Sequence, residues 1–542
     1  MANLTLYCIV EGRSTSHAFP VKIAPTTTSD HLVEIIKAEQ APAFDDITPD
    51  QLRLWLVKIP EDKEDSPVTV DALDKKTELK HPRGCFSELL PDGPDNNTYI
   101  VVQRTLPALK RVREQYLEDP RKLPKIDDWV KYDAKDGSVD LPPVLISMLD
   151  NGDFTPAPRD EFKQQLDNVE FGQQITLPSI GQIPRHYGEG YQGMAFLVTE
   201  QMVSMWELLS KDGPRAIVRV LSGPMGIGKS YLALFLAAKA YAEGWPLLYV
   251  ADAGELAVDS TVEISRNICK RFLALNKDIL TVAHFQEMTF GYPSGNEVIT
   301  RAASSIINNL LQQKDTKTLL VVDEHGALFG QDPPIPVKHA ILNPLMQIGV
   351  WSGRNKGARI ILAGTVHAKF ERQYVKGDMW NWREYVTPLS DYIFDKLLDM
   401  DDRLSRETIG EHARDITNRV PRELVNMVAF LHQSITDTDN DEVVMSQMDK
   451  FNGQRFKVLY HDANSYFSSL DDVHRRFYRK ALETILFDRS YNIHIEKIGF
   501  DHEFMDLGLV YQIKVGACVE YRPLCEASKD ALQRLYYNDP SI

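Results

Sequence analysis

Residues Leu221–Ala233 read LSGPMGIGKSYLA, and this stretch decides how the rest of the chain is read. Before it, AIVRVLSG (216–223) is β-branched and apolar, as a buried strand is. After it, SYLALFLAAKAYAEG (230–244) is built of helix formers and stops on a glycine. Between them the spacing is Gly223, four residues, Gly228, Lys229, Ser230. Glycines let backbone N–H groups turn inward, and the following helix adds the positive end of its dipole. Pro224, Met225, Gly226 and Ile227 complete the loop, and Tyr231 follows it into the helix. A strand, such a loop and a helix in this order make a cradle for phosphate groups.

The pattern is that of a P-loop, and its context is the required one. It assigns Lys229 to the β- and γ-phosphates of a nucleotide and the Ser230 hydroxyl to Mg²⁺. Such a loop needs a second acid on a neighbouring strand. TLLVVDEHGALF (318–329) supplies an apolar run ending in Asp323, suited to the metal's water shell, then Glu324, suited to polarise an attacking water. Taken alone, an apolar run ending in Asp-Glu is also an ordinary strand terminus. Its place after the P-loop makes it a Walker B motif.

Other buried-strand runs are PLLYVAD (246–252), between the two motifs, and GARIILAGTVHAKF (357–370) and EYVTPLS (384–390), after them. With the acid beside Asp323, this resembles the additional-strand glutamate class of P-loop NTPases, which includes the AAA+ and STAND ATPases. The resemblance implies ATP as the nucleotide; no base-specificity motif separates ATP from GTP. It places a γ-phosphate sensor after the strand, at Thr365 first and His367 as the alternative. It reads ARDITNRVPRELVNMVAFL (413–431) as a helical lid in which Arg422 either senses the γ-phosphate or is a surface arginine opening a helix. Arg372 stands where an arginine finger acting on a second subunit would be.

The chain surrounding these motifs has 542 residues, too many for one hydrophobic core, with 43% hydrophobic and 25% charged residues. Three or four domains are expected. The net charge of −16 argues against a chain that coats nucleic acid by bulk charge, so any DNA contact must be local. Cys8, Cys85, Cys269, Cys518 and Cys525 are scattered and odd in number, which fits reduced thiols rather than a disulfide framework or a zinc site. No conventional signal peptide and no membrane span is expected.

The first hundred residues read as a small domain. LTLYCIVEG (4–12) and HAFPVKIAP (17–25) are strand-like, SDHLVEIIKAEQA (29–41) is helical, and LRLWLVKIP (52–60) and TYIVVQR (98–104) return to strand. That order fits a ubiquitin-like β-grasp or another small α+β module. Residues 105–200, rich in Pro, Asp and Lys with only short apolar runs, read as a connector that packs partly on its neighbours. The full expectation is an α/β multidomain chain: N-terminal domain 1–104, connector 105–200, P-loop NTPase core 201–395, helical lid 396–445, and C-terminal domain 446–542.

The tail, GFDHEFMDLGLVYQIKVGACVEYRPLCEASKDALQRLYY (499–537), reads as helix, strand, turn, strand, helix and resembles a winged helix. DHEFMDLG is acidic, and Lys514 and Arg522 are the only cations near the wing, so an intramolecular regulatory role is favoured over DNA reading. Glu503, Asp506 and Lys514, two acids and a lysine, form a trio that either echoes a nuclease or is a solvated face.

The runs quoted above from the first hundred residues resemble the N-terminal domain of the Crinkler effectors, in their fungal rather than oomycete form. Where the oomycete proteins carry a Leu-x-Leu-Phe-Leu-Ala-Lys type signature, this chain has LTLYCIVEG. Crinklers are modular: a ubiquitin-like N-terminal domain, a connecting region and a toxin-like C-terminal part that often pairs a P-loop NTPase with a nuclease. The resemblance implies secretion and action in a host cell, in its nucleus, on host protein or chromatin factors. With the sequence ending at Ile542, a nuclease domain is expected to be lost. Two functions follow: an ATP-hydrolysing switch, or a nucleotide-gated scaffold with little hydrolysis. A DNA-associated NTPase and a homo-oligomer are further readings.

Overall fold

The structure is a computed structural model. It describes residues 4–10, 15, 18–24, 27, 31–33, 35–36, 52–59, 68, 76–79 and 98–104. From 129 onward it describes all residues except 291–295, 314–315, 331–332, 347–355, 365–381, 436–439, 488–499, 517 and 539–542. The chain divides into two units, Met1–Lys125 and Ile126–Ile542.

In the first unit, β1 (Leu4–Val10), β2 (Phe19–Ile23), β3 (Leu52–Lys58), β4 (Lys76–Glu78) and β5 (Thr98–Arg104) form one sheet in the order β2-β1-β5-β3-β4. The central pair β1/β5 is parallel and its neighbours are antiparallel. Strand alternation sends Leu6 and Cys8 to one face and Ile9 to the other. Leu32, Val33 and Ile36 cover the first face, in a stretch where residues 31–33 and 35–36 are helical. Strand β4 is too short to have shown a period in the sequence.

In the second unit, β6 (Val130–Ala134) and β7 (Gly137–Leu141) make a hairpin, and β8 (Gln174–Ile175) pairs with β9 (Phe196–Leu197). These elements lie in the stretch read as a connector that packs partly on its neighbours. Leu141, Leu145, Met148 and Leu149 join the core on one face of the main sheet. Phe162, Leu166, Phe196 and Val198 join the core on the other. The apolar residues come in runs too short to signal an element, yet each is buried against the same sheet.

The main sheet contains β10 (Ile217–Ser222), β11 (Leu247–Val250), β12 (Thr318–Val322), β13 (Ala358–Ala363) and β14 (Arg383–Tyr385). Its order is β11-β12-β13-β10-β14, all parallel. The strand lying between β10 and β12 is thus β13, which follows both motifs in sequence, whereas β11, which separates them in sequence, is at the edge. Helices cover both faces, so the strands read as unbroken apolar runs. Val218, Val220, Leu320 and Val322 face the helices Thr261–Asn276 and Asn296–Gln312; Leu221, Val321 and Ile361 face the helix Lys229–Ala242.

The helices Asp391–Leu398, Glu407–Thr417 and Pro421–Ser434 share a separate core that includes Phe394, Ile409, Leu424 and Met427. Asn418 and Arg419, at φ of 47° and 62°, turn the chain between the last two, and Pro421 opens the third at a position where its missing N–H costs nothing. The helix Asp441–Ser469 runs unbroken through the expected boundary at 446: its Val444, Met448 and Phe451 belong to the core of these three helices, its Leu459, Ala463 and Phe467 to the C-terminal one. The C-terminal core adds the helices Asp472–Phe487, Phe500–Asp506 and Glu526–Asn538 and the antiparallel hairpin β15 (Val510–Val515) and β16 (Cys518–Pro523). Among the described residues, no helix is long and apolar enough to cross a membrane. Cys8, Cys269 and Cys525 are free and buried, and burial pushes the Cys8 thiol up to about 12 and the Cys525 thiol up to about 11.

Candidate functional site

The loops that leave β10, β12 and β14 emerge at the same end of the parallel sheet, their carboxyl ends, where open α/β sheets form crevices. There they border a cavity of about 1130 Å³. Gly223, at φ 149°, passes so close to Val386 that a Cβ would lie 2.9 Å from its carbonyl oxygen. Gly226 and Gly228 sit at φ of 84° and 111°, the left-handed region where a side chain is strained. Gly228 is the N-cap of the helix Lys229–Ala242, so the helix starts with its N–H groups turned to the cavity.

The sequence-assigned loop residues separate into two kinds. Met225, Gly226, Ile227, Gly228, Lys229, Ser230 and Tyr231 line the cavity. Gly223 and Pro224 shape it from behind: their carbonyls accept hydrogen bonds from Lys229 Nζ at 2.7 and 2.8 Å. A buried ammonium needs such partners, and these hold its charge at the loop.

Asp323 and Glu324 line the same cavity. Asp323 is 1% exposed; its Oδ1 accepts the Glu324 N–H at 2.9 Å, while Oδ2 is buried with no hydrogen-bond partner. Burial pushes its carboxyl up to about 6, against the pull of the neighbouring Ser230 hydroxyl and Lys229 ammonium. A buried carboxylate oxygen without a donor, beside a hydroxyl, is a donor set that suits a hard divalent cation. Among the described residues no group of three or more His, Cys, Asp or Glu could hold a metal. Glu324 adopts φ 51°, ψ 33°, a left-handed backbone that is rare for a side-chain-bearing residue and characteristic of functional turns. The next residue, His325, is buried against Phe329, and burial holds its imidazole down at about 3 and therefore neutral.

Arg422 reaches the site from the start of the helix Pro421–Ser434. Its backbone N–H donates to Gly226 O at 3.3 Å, and a Cβ on Gly226 would lie 2.3 Å from Arg422 Cβ. Burial lowers the pKa of its guanidinium, and Glu423, Glu324 and Glu189 counter this. Thr365, His367 and Arg372 lie outside the described residues. The strand before them ends close to the Walker B turn, since a Cβ on Gly364 would lie 3.2 Å from the His325 and Gly326 nitrogens.

Two walls were not anticipated. Tyr187, Glu189 and Gln192, from the stretch expected to be a connector, line the cavity, as do Tyr511, Ile513 and Arg522 of the C-terminal hairpin. The Tyr187 ring meets Tyr231 at 5.3 Å, fastening the first wall to the loop helix. The Gly- and Pro-rich run GQIPRHYGEGYQG (181–193) was the available signal for it. The hairpin gave none, because only packing brings it there.

Residues 4–103 match the family model described as Crinkler effector protein N-terminal domain. Crinkler effector protein 1 of Rhizophagus irregularis is 35% identical over 100 residues, 18% of this chain and 21% of that protein. The match therefore spans about a fifth of that relative's length. Among solved structures, Aeropyrum pernix ORC2 in its ADPNP-ADP complexes is similar at a TM-score of 0.31 and 14% identity, covering 62% of this chain and 93% of that one. The ADP form of ORC2 gives 0.31 and 14%, with 70% and 98% covered. The replication initiator DnaA bound to AMPPCP and single-stranded DNA gives 0.26 and 16%, with 56% and 84% covered. Likeness at this level leaves the site to be judged on its own geometry.

Proposed function

We propose that this chain, whose first hundred residues are a Crinkler-type N-terminal domain, is an effector with an ATP-binding and ATP-hydrolysing switch. One observation carries the reading: the P-loop, the Asp323–Glu324 pair and the lid residue Arg422 open on a single cavity. Parallel strands in the order β11-β12-β13-β10-β14 support the additional-strand glutamate class. The β2-β1-β5-β3-β4 sheet supports a β-grasp N-terminal domain, and the helices with the β15/β16 hairpin support a winged-helix-like tail.

In this reading the loop N–H groups and Lys229 hold the β- and γ-phosphates, Lys229 leaving the Gly223 and Pro224 carbonyls as they enter. Ser230 and Asp323 would hold Mg²⁺, which when bound neutralises charge on the phosphate oxygens. Glu324 orients and polarises the attacking water, and its left-handed backbone is set beforehand by the turn. Arg422 stabilises the γ-phosphate from the lid, and Thr365 is the proposed sensor on the core side. Adenine as the base, and a lid that closes further on ATP than on ADP, belong to the same proposal.

The relative's name, an effector protein, supports action on a host; secretion, the host nucleus as the site of action and host protein or chromatin factors as partners are proposed along with it. A homo-oligomer completed by Arg372 and a local DNA contact are extensions of this reading. The test is steady-state ATP hydrolysis by the wild type and by Glu324→Gln. The proposal expects turnover that the substitution lowers about a hundredfold or more while binding persists. A wild type that binds ATP without turnover would make it a nucleotide-gated scaffold instead.

A further inference from the structure

The residue after Arg422 is as constrained as Arg422 itself. Glu423 is 5% exposed, and Arg455 grips its carboxylate with both arms of the guanidinium, Nε to Oε2 at 2.9 Å and a terminal nitrogen to Oε1 at 2.7 Å. A two-pronged, largely buried pair of this kind fixes orientation as well as position. Arg455 lies on the helix Asp441–Ser469, between the residues given to the lid core and those given to the C-terminal core. The link just before this helix is held as well, by Asn418, whose side-chain amide donates to the Pro523 and Leu524 carbonyls at 3.3 and 3.2 Å.

Resting on the nucleotide reading of the cavity, we infer that Glu423 and Arg455 are a positioning pair that makes the placement of Arg422 on the P-loop depend on the C-terminal domain. The pair touches no substrate. It acts because Glu423 lies in the same first helical turn as Arg422, and that turn is tied to the C-terminal domain by the Arg455 fork and, just before it, by the Asn418 amide. A rigid helix shared by two cores then carries any shift of the C-terminal domain to the residue resting on Gly226. Loss of Arg455 leaves a buried carboxylate without its counter-charge beside Arg422, so Glu423 is free to pair with Arg422 and draw it from the loop.

The test is the affinity of the full chain for Mg·ATP and Mg·ADP, measured by equilibrium titration for the wild type, Arg422→Ala, Arg455→Met and the double variant, with melting curves to confirm folding. Arg455→Met should reduce the preference for ATP over ADP by about tenfold, as Arg422→Ala does, and the double variant should lose no more than either one. Should Arg455→Met not fold, Arg455→Lys, which keeps the charge but not the fork, is expected to show the same change in smaller degree. An unchanged preference in the folded variant, or losses that simply add, would overturn the inference while leaving the nucleotide site in place. A wild type that binds neither nucleotide would overturn the site reading and the inference with it.

Discussion

Arg422 donates its backbone N–H to the carbonyl of Gly226 at 3.3 Å, so the first turn of the helix Pro421–Ser434 rests on the middle of the P-loop. The loop can approach this closely because Gly226 has no Cβ, and its φ of 84° is one a side chain would strain. Core and lid therefore meet where phosphates would lie. Gly226→Ala should push the lid off the loop, costing about 1–3 kcal/mol of stability and weakening Mg·ATP binding roughly tenfold or more. Thermal melting and nucleotide titration check this, and an alanine variant with unchanged binding would show that the contact is incidental.

His325 gives a pH dependence with a definite sign. Buried, it is held neutral with a pKa of about 3, against 6.5 when free. Between those values only the unfolded chain takes up the proton, so stability present above pH 6.5 is lost as the pH falls toward 3. From pH 6.5 to 5 the loss should be on the order of 1–2 kcal/mol. Denaturant melts of the wild type and His325→Phe at both values are the check: the wild type should lose more stability than the variant over that interval, and parallel losses would contradict the assignment.

Much of this site could be read in the sequence, for a physical reason. The P-loop and Walker B runs are local: Gly228, Lys229 and Ser230 lie side by side because the backbone demands it, and Asp323 ends its strand because the strand must stop at the crevice. Arg422 was placed by resemblance, and the contact with Gly226 gives it a geometry. The cavity's other walls depend on contacts between residues far apart in sequence. Tyr511 and Arg522 reach it only because the hairpin packs on the core, and Phe162, Leu166 and Phe196 are too widely spaced to mark the 129–200 stretch as part of that core. The boundary expected at 446 fell inside a 29-residue helix because the hydrophobic pattern does not change where one core hands over to the next.

The N-terminal domain should stand alone. Its sheet closes its own core, with Leu6, Val21, Leu54 and Val102 buried on one face and Ile9, Val57 and Val101 on the other. Residues 1–104 expressed by themselves are expected to give a dispersed amide spectrum by NMR. A collapsed spectrum would place the boundary elsewhere.

Nucleotide state should be legible in the lid and the hairpin. In the Glu324→Gln background, residues 417–426 and 510–524 are expected to exchange amide hydrogens more slowly with ATP than with ADP, and Arg422→Ala should remove the difference. Equal protection in both states, or a difference that survives Arg422→Ala, would take Arg422 out of the mechanism.

The central claim, that this cavity holds a nucleoside triphosphate by its phosphates, is tested most directly by equilibrium binding of Mg·ATP to the full chain and to its Lys229→Ala variant. The account predicts one saturable site in the wild type and at least a roughly hundredfold weaker one in the variant, with the same melting behaviour for the N-terminal domain. Tight binding that survives Lys229→Ala, or no binding by the folded wild type, would contradict it.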